Sequence, residues 1–247
     1  MTSQFLKSRL LYFFEVLLLI PSYPFLLFAG KKLRKKIIKL PSQSEYLEFL
    51  SKKENPNLLI IGESTAAGVG ASEAYKTFAA NISTSLEDRN VYNIGKNGLK
   101  ASGLNARFQK HKNKVPQYFE TCIILIGAND CFQFTPPSKF SYELKVFISE
   151  FISSSSCKKI IIPLIPPVHQ FPAIPLIIRF FLGLHRKVLG LEVKQLAALI
   201  PEVTFIDQNQ FYEPDFFAED GIHPSDLGYL KMSEMILFQI KEKGSST

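Results

Sequence analysis

From residue 57 onward the chain alternates short apolar runs with longer stretches in which apolar positions recur at helical spacing. The runs Leu58–Ile61, Val91–Ile94, Cys122–Ile126, Lys159–Leu164 and Val203–Ile206 are long enough for buried strands and too short for helices. Helical patterns lie between them, near Tyr75–Asp88, Leu99–Lys112, Tyr142–Ser153 and His185–Ala198, and a last one covers roughly Ser225–Glu242. Strands alternating with helices predict right-handed βαβ units and a parallel sheet covered on both faces. No internal repeat interrupts this order.

The first 40 residues have a different pattern. Leu10–Ala29 is almost unbroken apolar sequence, interrupted by Glu15 and by Pro21-Ser22-Tyr23-Pro24. About 20 residues at ~1.5 Å rise just cross a hydrocarbon core of ~30 Å. The two prolines oppose a straight spanning helix and leave a kinked or re-entrant segment equally open. A helix docked on the domain's own surface is the further alternative. A cleaved signal peptide fits less well, because no A-x-A-like site comes after the run and basic residues crowd the point where a mature chain would begin. The predicted organisation is therefore a membrane-associating segment over 1–40, a linker over 41–56 and a catalytic-size domain over 57–243.

Charge sharpens this division. The chain of 247 residues has a net charge of +7. Residues 1–40 hold eight basic residues against the single acid Glu15, which accounts for all of it, and the remainder is balanced. A neutral body does not have the footprint of a nucleic-acid binder. The basic stretch Lys31–Lys39 suits anionic lipid, and by the positive-inside rule it places the domain after it on the cytoplasmic side. Cys122, Cys131 and Cys157 lack paired or metal-type spacing, so neither a disulfide framework nor a zinc site is expected, and a reducing compartment is favoured.

Candidate chemistry sits just after the predicted strands. In Leu58–Gly70 a buried strand ends at Gly62, and Glu63, Ser64 and Thr65 come next, then small residues that allow close approach. A serine there lies outside the carboxyl edge of the sheet, where open α/β folds bind ligands. Asn93-Ile94-Gly95-Lys96-Asn97-Gly98 closes the second strand, Gly127-Ala128-Asn129-Asp130 the third, and Asp220-Gly221-Ile222-His223-Pro224 precedes the last helix. Each alone reads as a turn, a helix cap or a loop hydrogen bond. Their joint order does not.

Together these blocks resemble the SGNH (GDSL-type) serine hydrolases over roughly Asn57 to Ile240, with Gly62-Glu63-Ser64 standing where the family has Gly-Asp-Ser. The resemblance implies a three-layer α/β/α, flavodoxin-like fold with a central parallel sheet of about five strands. It implies Ser64 as nucleophile, His223 as general base and Asp220 as the carboxylate that orients the imidazole. The N–H of Ser64, the N–H of Gly98 and the amide of Asn129 would form the oxyanion hole. Glu63 departs from the family without touching a catalytic role, though it alters how the nucleophile turn is held. Asp130 is expected to be structural, for example capping the next helix.

The chemistry is self-consistent. A serine hydroxyl needs an adjacent imidazole to take its proton, and a carboxylate on Nδ1–H fixes the tautomer. Asp220 and His223, three apart in one loop, can supply both, and backbone and amide donors can serve the oxyanion without metal or cofactor. Pro163–Leu184 is an apolar, proline-braced insertion, expected either as an acyl-pocket wall or lid or as a buried loop and helix on the sheet. His169 within it is expected to be a surface or core histidine. The expected activity is hydrolysis of carboxylic esters with an apolar, lipid-like acyl group. A carbohydrate O-deacetylase or acyltransferase on the same site is the alternative enzyme, and an inactive membrane-bound scaffold the alternative of another class.

Overall fold

The computed structural model describes residues 3–51, 55–207 and 211–242. After a long N-terminal helix, α1 (Ser3–Arg34), the order is β1 (Leu47–Phe49), β2 (Asn57–Gly62), α2 (Phe78–Ser85), β3 (Asn90–Gly95), α3 (Leu104–His111), β4 (Thr121–Leu125) and α4 (Ala128–Phe132). Then come α5 (Pro137–Ser155), β5 (Lys159–Pro163), α6 (Leu176–Leu199), β6 (Val203–Ile206) and α7 (Asp226–Glu242). All five expected strands are present. A sixth, β1, joins them to give the sheet order β1-β3-β2-β4-β5-β6, parallel except for β1.

The strand β1 corrects the expected linker. Leu47-Glu48-Phe49 pairs antiparallel with Val91–Asn93 at the sheet edge, and three residues are too few to show an alternating pattern. Nearby, the buried Asn93 donates through Nδ2 to the carbonyls of Ala66 (2.9 Å) and Ser44. Arg107 of α3 donates to the carbonyl of Glu45 (2.7 Å). Residues 44–49 are thus tied into the domain rather than strung outside it.

Alternation along β2 divides the core. Leu59 and Ile61 face a cluster with Phe108, Phe147 and Leu189 from α3, α5 and α6. Leu58 and Ile60 face Phe78 and Tyr229 from α2 and α7. A central strand apolar on both faces is what a sheet covered on both sides requires.

The helix boundaries show where pattern alone fell short. The stretch expected as one helix from Tyr75 divides into a single turn, Ala74–Lys76, and α2, because Thr77 leaves helical geometry and caps α2 by accepting from Ala80 N–H (3.4 Å). Helix α6 begins at Leu176, nine residues before the expected His185, so the insertion's second half is helical. Helix α1 runs without interruption through Pro21 and Pro24, so neither proline ends it.

Candidate active site

Strand register sets the site. Gly62 at the end of β2 lies beside Gly95 of β3 and Leu125 of β4, so all three chains leave the sheet at one level. Each strand end opens directly into the predicted chemistry: Ser64 after β2, the Lys96–Gly98 turn after β3, and Asn129 in the first turn of α4 after β4. Gly98 has φ +76°, a left-handed conformation suited to glycine, and Leu99 N–H closes the turn on the Lys96 carbonyl (3.1 Å).

The Asp220–His223 loop comes to the same edge. Gly70, at φ +96° in the loop after Ser64, packs so closely that an added Cβ would stand 2.5 Å from the Pro224 carbonyl and 3.0 Å from His223 Cβ. Helix α7 fastens that loop from the other side. Tyr229 donates to the Val69 carbonyl (2.7 Å), and Asp226 accepts from the N–H (2.8 Å) and hydroxyl (2.7 Å) of Ser72. The turn that carries the serine and the loop that carries the histidine are held as one unit.

Within the loop, Asp220 Oδ2 lies 2.6 Å from His223 Nδ1, while Oδ1 accepts from the N–H groups of Ile222 (2.9 Å) and His223 (3.0 Å). Burial pushes the Asp220 carboxyl up, but the hydrogen bonds from His223 and Ile222 outweigh it and hold the group below its ordinary value. An ionised carboxylate on Nδ1 directs the imidazole's Nε2 to be the proton acceptor.

Ser64, Asn129 and His223 line one cavity of about 540 Å³. Thr65 and Asn97 share its polar side; Asn97 takes the lining position, and Gly98 stands next to it in the turn. Asp220 lies behind His223, 5% exposed. The rest of the wall is apolar: Phe132 and Phe134 after β4, Pro166, Phe171, Ile174 and Ile178 from the insertion, and Leu26, Gly30 and Leu33 from α1. The insertion is therefore a cavity wall. Its His169 lies outside that lining and packs against Gly183 of α6.

Glu63 has a role that sequence reasoning missed. Its carboxylate, fully buried, accepts from Ala128 N–H (2.8 Å), Asn129 N–H (2.9 Å) and the Asn129 amide nitrogen (2.7 Å). One amide hydrogen of Asn129 is thereby held, and the second remains to face the cavity. Burial pushes the Glu63 carboxyl up to about 7 despite the three donors, and the Asp130 charge adds to the rise. The signal was an acid beside the serine whose partner lay 66 residues away.

Asp130 is structural, though in another way than as a helix cap. It sits inside α4 and accepts from Ala101 N–H (3.0 Å), bracing the Gly98 loop against the Asn129 loop instead of capping the next helix. Cys122, Cys131 and Cys157 are free and buried. Among the described residues no group of three or more metal-ligating side chains is found.

Comparison with known proteins agrees with this architecture. The family model described as GDSL-like Lipase/Acylhydrolase matches residues 60–231, and the chain belongs to that family. Similar solved structures include a lipolytic G-D-S-L family member from Veillonella parvula (TM-score 0.60, 18% identity, 73% of this chain and 96% of that one). A lipase/acylhydrolase from Enterococcus faecalis is similar as well (TM-score 0.58, 21% identity, 76% and 96%). So is a catalytic mutant of the acetylxylan esterase Axe2 from Geobacillus stearothermophilus (TM-score 0.57, 20% identity, 78% and 96%). At these identities the likeness is one of fold. No curated protein matches the sequence.

Proposed function

We propose that the protein hydrolyses carboxylic esters of apolar acyl groups at a membrane surface, through an acyl-Ser64 intermediate. The observation that carries this reading is one cavity with Ser64, His223 and Asn129 on its polar side and aromatic, proline and aliphatic side chains around the rest. In the first step His223 Nε2 takes the Ser64 proton as Oγ attacks the ester carbonyl. The oxyanion is met by the Asn129 amide with the N–H groups of Ser64 and Gly98. Collapse expels the alcohol, which takes the proton from His223, and water repeats the sequence to release the acid.

The apolar wall favours a lipid-like acyl chain over the small polar pocket that a carbohydrate deacetylase would need. The basic stretch from Lys31 supports placement at an anionic, cytoplasmic leaflet. A panel of p-nitrophenyl esters of increasing chain length, run on the native protein and on Ser64→Ala, tests the reading together with labelling by a fluorophosphonate. Ser64→Ala is expected to lose both turnover and labelling while remaining folded, and the native enzyme to prefer longer acyl chains. Labelling that survives in Ser64→Ala would move the nucleophile elsewhere, and preference for acetate would favour the deacetylase.

A further inference from the structure

Helix α1 has its polarity reversed. The side chains it turns toward the protein include Ser8, Tyr12, Glu15 and Ser22, with Ser8 and Glu15 fully buried. Those it turns outward include Leu6, Phe13, Ile20 and Leu27, one face of the helix at seven-residue intervals, which are 46–67% exposed. Leu10, Phe14, Leu17, Phe25 and Phe28 beside them are exposed as well. A helix at a water interface shows the opposite arrangement, and an apolar surface of this extent marks an interaction site.

The inner seam is clamped to α6. Glu15 Oε2 lies 2.9 Å from His185 Nδ1, both side chains buried, and His185 Nε2 lies 3.1 Å from the Thr135 carbonyl. Two turns away, the Ser8 hydroxyl donates to Glu192, which also pairs with Arg9 at 3.5 Å. Residue 15 opposite 185 and residue 8 opposite 192 means the helices run antiparallel. Beside this seam α6 is committed to the core through Leu182, Leu189, Val193 and Leu196.

These contacts constrain how α1 can meet a bilayer. Phe5–Leu33 is long and apolar enough to cross one. A crossing helix would carry α6, and with it the sheet, into the hydrocarbon. Lying flat avoids this: the outward face enters the acyl chains while the polar seam stays on α6. The start of α6 continues the same surface with exposed Leu176, Ile177 and Phe180. Past the end of the apolar run the basic residues Lys31, Lys32, Lys35, Lys36 and Lys39 supply charge suited to anionic headgroups.

We propose that α1 and the first turns of α6 form a platform that lies parallel to the membrane in one leaflet of an anionic bilayer, with the catalytic cavity opening beside it. Leu26, Gly30 and Leu33 of α1 and Ile174 and Ile178 near the start of α6 line that cavity, so an acyl chain in the leaflet has an apolar path to Ser64. What the platform delivers rests on the ester-hydrolase reading; its insertion does not.

The chain contains no tryptophan, which makes insertion directly readable. Full-length protein carrying a single Leu6→Trp, Phe13→Trp, Ile20→Trp or Leu27→Trp change is bound to phosphatidylcholine vesicles with and without phosphatidylglycerol. The lipids carry bromine either near the headgroup end or near the methyl end of the acyl chain. Successive positions are about 10 Å apart along the helix. Similar quenching profiles at all four, with binding strengthened by phosphatidylglycerol, are expected. A profile deepest at Ile20 and shallow at Leu6 and Leu27 would mean a crossing helix and overturn the proposal, and so would absence of quenching at all four. Fluorescence requires no turnover, so an enzyme inactive on every ester yet quenched alike at four sites would refute the ester reading alone.

Discussion

The two sides of the catalytic cavity are built on opposite principles. On the sheet side, short loops bring polar groups inward and fasten each one: Asp220 to His223, Glu63 to Asn129, Asp130 to Ala101. On the helical side, α1 and α6 hide Ser8, Glu15, His185 and Glu192 against one another and present apolar surface to the cavity and to the exterior. The first arrangement preserves a geometry for chemistry, because buried polar groups are costly unless paired. The second preserves a surface. On the proposed reading, reaction and delivery fall to separate parts, one within residues 60–231 that match the family and one that begins before them.

Substitutions on each side can break that division. The largest effect is expected from Asp220→Asn, which leaves the loop in place but loses the ionised partner of Nδ1. A fall in kcat on the order of 10⁴ is expected for short and long esters alike, as in serine-protease triads. A fewfold loss in steady-state assays would mean that another group orients His223.

On the helical side, Glu15→Ala leaves the buried His185 Nδ1 without its hydrogen-bond partner, a loss that typically costs about 1–3 kcal/mol. Thermal unfolding of vesicle-bound protein should register the loss, with turnover of long-chain esters falling more than that of short ones. Equal losses on both substrates would erase the distinction between the two sides.

Asn129→Ala returns the test to the sheet side. A drop of about 10²–10³ in kcat with a smaller change in KM is expected, since the donor matters once the oxyanion forms. A change confined to KM would make Asn129 a substrate-binding group only.

The smallest effect is a slope. The Glu63 carboxyl is raised from an ordinary 4.5 to about 7, so the folded state binds this proton more tightly than the unfolded state. Its contribution to stability is therefore fully present below about pH 4.5 and is lost as pH rises through about 7. Relative to Glu63→Gln, the melting temperature of the native protein should decline across this window. Parallel curves in differential scanning fluorimetry would show that Glu63 does not titrate there.

The local sequence was enough for the parallel strands, because each is a short, mainly apolar run and the central ones are buried on both faces, and for the four loops, because their residue types and order carry the family's pattern. It also contained the reversed polarity of α1 in the seven-residue spacing of Ser8, Glu15 and Ser22, but spacing does not say which face meets protein. Only tertiary structure decided that, by placing His185 and Glu192 of α6 opposite. It likewise decided that Glu63 holds Asn129, that β1 pairs with β3, and that α1 continues through two prolines. For the α1 seam, Glu63 and β1 the deciding partner lies far along the chain, and a contact between distant residues leaves no period in the sequence of either one.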